Sequence, residues 1–292
     1  MFSIGLDLGG TTLRAAVVDR NTGNIVASER FVWTDRSPLS VLSEVSAAVN
    51  KLGAAWPQAD GHLGVGFAGM LRGGVVVNAP NLGWRDVDFG TPLAAATGRS
   101  VRMVNDLSAA AWGEFKAGAA QGTSDSLTVF VGTGVGSAII SGGQLVQGAT
   151  QVAGEFGHVK VMFEGGRLCG CGQHGCLEAY MGGAKMHEWM LEEGLEGKPA
   201  DLERMAQEGH PKAKPMYDFA VNHLALAVAN YVTCLNPGVL VLGGGVLRRC
   251  PGVVERIQQV VAQRTVASSS AVRITMASLG DNAGLVGAAL LT

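Results

Sequence analysis

Three cysteines lie close together in the sequence, and their spacing could hold a metal ion. Cys169, Cys171 and Cys176 are interspersed with glycines, and His158 lies eleven positions before the first of them. Three thiolates and one imidazole complete the tetrahedral shell of Zn²⁺ and leave no open position, which is typical of a structural site. His174, inside the cluster, is a rival fourth ligand. A set of buried free thiols is the alternative interpretation.

Three glycine-rich segments follow apolar runs and could bind phosphate groups. They are Gly9, Gly10, Thr11 and Thr12; Gly132, Thr133 and Gly134; and Gly243, Gly244 and Gly245. Glycine lets backbone N–H groups converge on an anion without a Cβ in the way, and threonine hydroxyls add donors. Asp7 stands just before the first segment, where a carboxylate could hold hydrated Mg²⁺ against the phosphates. Each segment taken alone could also be a plain turn.

Two common nucleotide motifs do not account for these segments. The sequence contains no G-x-x-x-x-G-K-[ST], so a Walker-type phosphate loop is excluded. The first glycine segment lacks the G-x-G-x-x-G spacing that opens a dinucleotide-binding unit.

Asp106 is the candidate for acid–base chemistry. It follows the short apolar run 101–104 and Asn105, and a helical pattern begins at Leu107 or Ser108. The carboxyl ends of strands are where open α/β sheets present their chemistry. A carboxylate in that place could accept the proton of a hydroxyl nucleophile. Taken alone, Asp106 could equally be the N-cap of the helix.

The elements that must position these residues form two copies of one pattern. The first copy has predicted strands at 3–7, 13–18 and 25–31, with helical spacing over 37–52. The order recurs about 125 residues later, with predicted strands at 127–131 and 137–140. A further strand at 239–242 leads into the third glycine segment. We therefore expect two related α/β halves.

The helices and domain limits follow from the same reading. Residues 220–235 predict a buried helix, and residues 283–291, rich in alanine and glycine, predict a helix that packs closely on a sheet. The smaller α/β domain is expected to hold residues 1–106 and to take back a C-terminal helix at about 281–292. The larger domain, with the cysteine cluster, is expected to hold residues 107–280.

Composition excludes several classes of protein. Of the 292 residues, 47% are apolar and 16% charged, which predicts a packed core rather than disorder. A net charge of -2 offers no attraction to nucleic acid or to an anionic membrane. No apolar run is long enough to span a bilayer, and no signal peptide is recognisable, so a cytoplasmic location is expected. Cys234 and Cys250 have no partners at ligand spacing and are interpreted as core residues.

Three motifs together resemble the ROK family of sugar kinases and repressors. They are the segments Asp7 to Thr11, Gly154 to His158, and Cys169 to Glu178. The similarity runs in order along essentially the whole chain, and the last motif is the most specific. The resemblance implies an actin-like, ribonuclease-H-like pair of α/β domains with a structural zinc knuckle. It also implies transfer of the γ-phosphate of ATP, with Mg²⁺, to a hexose or amino sugar.

The resemblance also implies a role for individual residues. Asp106 matches the catalytic base of the family. The positions that match sugar ligands are Asn81, Asn105, Asp106, Glu155, His158 and Glu178. His158, Cys169, Cys171 and Cys176 match the zinc ligands, so His174 becomes the weaker candidate. One histidine can serve both purposes, because zinc takes one ring nitrogen and the other can donate to a hydroxyl.

Among substrates, glucose converted to glucose 6-phosphate is the first expectation, because the second and third motifs look most like those of family glucokinases. Fructose, mannose, allose and N-acetylated amino sugars stay open as alternatives. Related kinases are commonly dimers, and a homodimer is expected.

Three other classes are expected less. A sugar-sensing repressor would need a DNA-binding segment, and the first glycine segment begins within ten residues of Met1. A zinc-knuckle interaction module would show no kinase turnover. A nicotinamide enzyme is disfavoured by the missing dinucleotide motif.

Overall fold

The computed structural model describes residues 1–291, which divide into two compact units. The first unit comprises residues 1–122, 145–153 and the C-terminal segment from Ala277. The second unit comprises residues 123–144 and 154–276. Each unit has its own apolar core. Position 292, the end of the predicted C-terminal helix, lies outside the described residues.

The first unit is built on a five-stranded sheet. Its elements in chain order are β1 (Phe2–Leu8), β2 (Thr12–Asp19), β3 (Ile25–Val32), α1 (Pro38–Ala55), β4 (Ala59–Phe67), β5 (Met70–Arg72), β6 (Val75–Ala79), β7 (Trp84–Asp88), α2 (Gly90–Thr97), β8 (Ser100–Asn105) and α3 (Asp106–Ala117). The main sheet has the order β3-β2-β1-β4-β8, and β5-β6-β7 form a small antiparallel sheet. β1 pairs antiparallel with β2 and parallel with β4.

The second unit repeats this arrangement. Its elements are β9 (Ser126–Val131), β10 (Val135–Ser141), β11 (Gln144–Leu145), α4 (Glu178–Met181), α5 (Gly183–Glu192), α6 (Pro199–Gln207), α7 (Ala213–Leu235), β12 (Val239–Gly243), α8 (Gly245–Arg249), α9 (Pro251–Arg264) and β13 (Arg273–Met276). The sheet order is β11-β10-β9-β12-β13. β9 pairs antiparallel with β10 and parallel with β12, as β1 does with β2 and β4. The predicted repeat of two α/β halves is thus confirmed.

Short 3-10 turns at Phe156–His158 and Gly280–Asn282 and the terminal helix α10 (Ala283–Ala289) complete the chain. α10 packs against the main sheet of the first unit, as its small residues predict. A Cβ at Gly64 of β4 would fall on the carbonyl of Ala288, so only glycine permits this approach. Through this close contact the C-terminal helix becomes part of the first unit.

The boundary of the first unit differs from the sequence expectation. The predicted limit at Asp106 would separate β8 from α3, whereas the first unit continues to Gly122. The reason is that α3 packs on α10: the indole N–H of Trp112 donates to the carbonyl of Leu290 at 2.9 Å, and a Cβ at Gly287 would fall on the carbonyl of Ala109.

In the first unit, one face of the central strands is apolar. Ile4 and Leu6 of β1 and Leu63 and Val65 of β4 are fully buried on that face. The opposite face carries Gly5, against which α10 packs. The predicted buried helix at 220–235 is the C-terminal part of α7. Among residues 1–291, no helix is both long and apolar enough to cross a bilayer.

Candidate active site

Asp106 lies at the junction between β8 and α3, and its neighbour Asn105 forms the cap of the helix. The Asn105 Oδ1 accepts hydrogen bonds from the N–H groups of Leu107 at 2.9 Å and Ser108 at 3.4 Å. Its Nδ2 donates to the carbonyl of Gly69 at 3.2 Å. Asp106 is therefore the first residue of the helix, one position earlier than the sequence suggested, and the capping role falls to Asn105.

Burial raises the pKa of Asp106 to about 6. The negative charge of Asp7 raises the pKa further, whereas the hydrogen bond from the Leu107 N–H opposes this shift. A carboxylate with a pKa near 6 is ionised at neutral pH and is still a better proton acceptor than an ordinary aspartate. A pKa in this range suits a group that accepts a proton near neutral pH.

Asp7 brings a second carboxylate to the first unit. Burial raises the pKa of Asp7, and the Arg14 guanidinium, 3.8 Å from its carboxylate, partly offsets the effect. Two partly buried carboxylates whose charges interact form an oxygen-donor set that suits Mg²⁺, although Arg14 competes for Asp7. The residues present therefore fit the predicted ion in donor chemistry.

The first glycine segment packs tightly within its unit. The Gly9 N–H donates to the carbonyl of Thr12 at 2.9 Å, so it closes the turn rather than facing a ligand. The Asn81 side chain occupies the space that a Cβ on Gly10 would need. Asn81, a predicted sugar ligand, therefore lies directly against the first predicted phosphate segment.

The second and third glycine segments border one cavity of about 500 Å³ in the second unit. Gly132, Thr133 and Gly245 line it, together with residues at the N-termini of α5 and α6. The carbonyls of Gly132 and Thr133 accept hydrogen bonds from the first N–H groups of α5, at 2.8 and 3.1 Å. The size and mixed lining of the cavity fit a nucleotide.

Two cations at this cavity were not predicted from the sequence. Lys198 and Arg249 are both among its lining residues, and each could pair with a phosphate. Arg249 stands four positions after Gly245, one helical turn along α8, and a Cβ on Gly245 would lie 3.4 Å from its Nη1. That spacing is a signal in the sequence that could have identified Arg249.

The four predicted zinc ligands converge in the second unit. The ligand atoms of His158, Cys169, Cys171 and Cys176 all lie within 4.8 Å of one another. Cys171 Sγ and Cys176 Sγ are 3.7 Å apart, and Cys169 Sγ lies 3.6 Å from His158 Nδ1. Tetrahedral zinc with ordinary bond lengths would hold two sulfurs about 3.8 Å apart and a sulfur and a nitrogen about 3.6 Å apart. The donor set therefore fits Zn²⁺ in type, and these two separations match those of tetrahedral zinc.

The thiol chemistry agrees with a cation in this cluster. Burial raises the pKa of Cys169 to about 12, so this thiol would stay protonated without a positive charge beside it. His174, the rival ligand, lies outside the cluster, because its Nδ1 is 2.8 Å from the carbonyl of Gly166.

Two carboxylates border the cluster. Glu155 Oε2 lies 3.7 Å from His158 Nε2, the ring nitrogen not directed at Cys169. Glu178 Oε1 lies 3.8 Å from Cys169 Sγ, and its Oε2 accepts a hydrogen bond from the Val135 N–H at 2.9 Å. Glu178 thus joins the cysteine cluster to the second glycine segment, a connection that the sequence did not indicate.

The chain resembles known proteins over almost its whole length. The model of the ROK family matches residues 3–292. A glucokinase from Streptomyces coelicolor is 32% identical over 98% of this chain and 96% of its own length. An N-acetylmannosamine kinase from Vibrio cholerae is 32% identical over 99% of this chain and 98% of its own length.

Two solved structures resemble the whole chain. A ROK hexokinase from Thermus thermophilus has a TM-score of 0.88 and 32% identity, and the match covers 99% of this chain and 97% of that chain. A ROK-family glucokinase from Streptomyces griseus, in complex with glucose and AMPPNP, has a TM-score of 0.76 and 30% identity, covering 100% and 99%. The fold is therefore the actin-like two-domain α/β ATPase fold, and the chain belongs to the ROK family.

Proposed function

We propose that this member of the ROK family is a glucokinase, which transfers the γ-phosphate of ATP to glucose and yields glucose 6-phosphate. The chain is an ATP-dependent sugar kinase by its family and by full-length relatives. The choice of glucose is the proposal.

The choice of glucose is supported by the glucokinase relatives, and the phosphoryl transfer itself by the pKa and position of Asp106. A sugar hydroxyl is a weak nucleophile, so its proton must pass to a base as the phosphoryl group arrives. Asp106 is ionised at neutral pH and is not needed as a helix cap, because Asn105 caps α3. It accepts the proton of the reacting hydroxyl.

The nucleotide binds in the cavity beside Gly132, Thr133 and Gly245. Lys198 and Arg249 supply positive charge there for the phosphates. Asp7 would hold hydrated Mg²⁺, an ion that neutralises phosphate charge when bound. The remaining residues of the glycine segments keep their predicted role in nucleotide binding: Gly9, Gly10, Thr11, Thr12, Gly134, Gly243 and Gly244.

The sugar hydroxyls are recognised by paired acids and amides. Asn81, Glu155, His158 and Glu178 keep their predicted roles as sugar ligands. For Asn105 the hydrogen bonds to Gly69 and the α3 backbone support a positioning role beside Asp106. An unmatched polar group in such a set penalises the wrong epimer.

The proposal includes a structural Zn²⁺ on His158, Cys169, Cys171 and Cys176, supported by separations that suit tetrahedral zinc. His158 would hold the ion through one ring nitrogen, and its Nε2 would donate to a sugar hydroxyl. Metal analysis of the purified protein tests this part, with one zinc per chain expected.

The test of the function is the release of ADP in the presence of separate sugars. Glucose, fructose, mannose, allose and N-acetylmannosamine are compared by kcat/KM, with Mg²⁺ and ATP present. We expect glucose to have the highest value. No phosphorylation of any sugar would contradict the kinase, and a higher kcat/KM for another sugar would contradict glucose as substrate.

An N-acetylated amino sugar is the second candidate. The Vibrio cholerae N-acetylmannosamine kinase is as similar in identity as the Streptomyces coelicolor glucokinase. The same panel decides between them. A cytoplasmic location and a homodimer belong to the proposal as well, and cell fractionation and light scattering test them.

A further inference from the structure

Lys160 stands opposite a predicted zinc ligand in a short β-bridge. Lys160 and Cys176 pair antiparallel. The flanking hydrogen bonds run from the Val161 N–H to the Gly175 carbonyl at 2.8 Å and from the Leu177 N–H to the Val159 carbonyl at 3.0 Å. This pattern makes Lys160 and Cys176 a non-hydrogen-bonded pair, in which the two side chains lie on the same face and close together. The backbone therefore directs the lysine towards the thiolate.

The side chains make the contact that the backbone favours. Lys160 Nζ donates a hydrogen bond to Cys176 Sγ at 2.9 Å. Cys176 is fully buried, whereas Lys160 reaches it from the exposed side of the bridge. A hydrogen bond between an ammonium group and a thiolate is charge-assisted on both sides, and such bonds are stronger than neutral ones.

The net negative charge of the zinc cluster explains why a cation beside it is stabilising. Zn²⁺ with three thiolates and a neutral imidazole carries a net charge of about -1. Glu178 Oε1, 3.8 Å from Cys169 Sγ, adds negative charge beside the cluster. Glu155 Oε2, 3.7 Å from His158 Nε2, adds more. The Lys160 ammonium offsets this excess at the thiolate that it contacts.

We propose that Lys160 is a positioning residue of the zinc site, which orients the Cys176 sulfur by its hydrogen bond and slows the loss of the metal. The inference rests on the zinc of the proposed function. Partners that contact metal ligands commonly change metal affinity by about 10- to 100-fold when they are removed. The proposed role of Lys160 acts through Cys176 and does not require contact with the sugar or the nucleotide.

A packing role for the lysine stem makes a different prediction. Lys160 also borders a cavity of about 290 Å³ beside His223 and Tyr231 of α7. If only the stem mattered, methionine, which is unbranched and of similar length, would replace lysine without effect. Arginine keeps the positive charge and the hydrogen-bond donors but changes the shape of the side chain. It therefore tests whether the charge alone is sufficient.

The experiment measures zinc transfer from the whole protein to a coloured chelator, 4-(2-pyridylazo)resorcinol, at neutral pH. Zinc content is determined first. Lys160→Met should release zinc about tenfold faster than the unchanged protein, the lower end of the range for such partners. Lys160→Arg should restore slow release. Lys185→Met, which removes a surface lysine paired with Glu188 in the same unit, is the matched control and should leave the rate unchanged.

Each outcome decides one point. Equal release rates for Lys160→Met and the unchanged protein, with one zinc bound in both, overturn the role of Lys160 and leave the zinc site intact. Fast release from Lys160→Arg as well as Lys160→Met overturns the role of its charge. A protein without zinc overturns the zinc site and this inference together, while sugar phosphorylation is measured separately.

Discussion

Replacing Asp106 by asparagine should remove activity and stabilise the protein at the same time. The pKa of Asp106 is about 6 in the folded chain, against an ordinary value of 3.8. The folded state holds this proton more tightly than the unfolded state. Protonated Asp106 therefore contributes to the free energy of unfolding below pH 3.8, and this contribution is lost as the pH rises through about 6. A difference of about two pKa units corresponds to about 3 kcal/mol at pH 8. Asparagine avoids that penalty and can still accept the hydrogen bond from the Leu107 N–H.

Urea unfolding of the unchanged protein and Asp106→Asn at pH 4 and pH 8 tests this reasoning. The variant should be more stable by up to about 3 kcal/mol at pH 8 and nearly equal at pH 4. In the same samples, kcat should fall about 10²- to 10⁴-fold, as expected for loss of a general base.

Asp201 provides a control of opposite sign. It also lies in the first turn of a helix, but hydrogen bonds from the Lys198 backbone, followed by Arg204, lower its pKa. Its charge therefore contributes stability above the ordinary pKa, which is lost as the pH falls, and Asp201→Asn should be less stable than the unchanged protein at pH 8. If Asp106→Asn were no more stable than the unchanged protein at pH 8, or if its gain were the same at pH 4, the burial of a charged Asp106 would be refuted.

The remaining predictions concern the pH profile, a glycine segment and the metal. In the unchanged protein kcat/KM should rise with pH through about 6 as Asp106 ionises, and a flat profile from pH 5 to 7 would contradict its role as base. Gly244 has φ +92° and lies against the backbone of Val131, so Gly244→Ala should cost about 2 kcal/mol or more in urea unfolding, whereas Gly245→Ala beside it should cost less. Cys171→Ser should lose zinc and melt at a lower temperature, while Cys234→Ser, outside the cluster, should keep both; full zinc content in Cys171→Ser would exclude Cys171 as a ligand.

The sequence by itself determined the repeated units and the chemical groups that they carry. The order of strand-forming runs and glycine segments occurs twice along the chain and predicts two sheets with the same topology. This could be predicted because period-two patterns and turn residues act locally. The cysteine spacing likewise indicates a metal site, since a tight knuckle must bring its thiols together. The position of Asp106 after a strand was also readable from its neighbours alone.

The tertiary structure decided how those groups are used. Whether Asp106 or Asn105 caps α3 depends on Gly69, in another part of the chain. Its backbone carbonyl accepts a hydrogen bond from the Asn105 side-chain amide and so orients Asn105 as the cap. The pKa of Asp106 depends on burial by distant elements and on the charge of Asp7. Desolvation is a property of the folded surroundings, so no local pattern predicts it.

The same reason explains the contacts that sequence reasoning missed. Glu178 reaches the Val135 N–H, and Lys160 reaches Cys176, across chain separations that residue spacing does not encode. His174 has the right chemistry for zinc, but the turn of the knuckle directs it to the carbonyl of Gly166. Residue type and spacing thus determined which groups could bind metal or move a proton. Only packing between distant segments decided which of them meet, because hydrogen bonds and desolvation depend on the folded surroundings of each group.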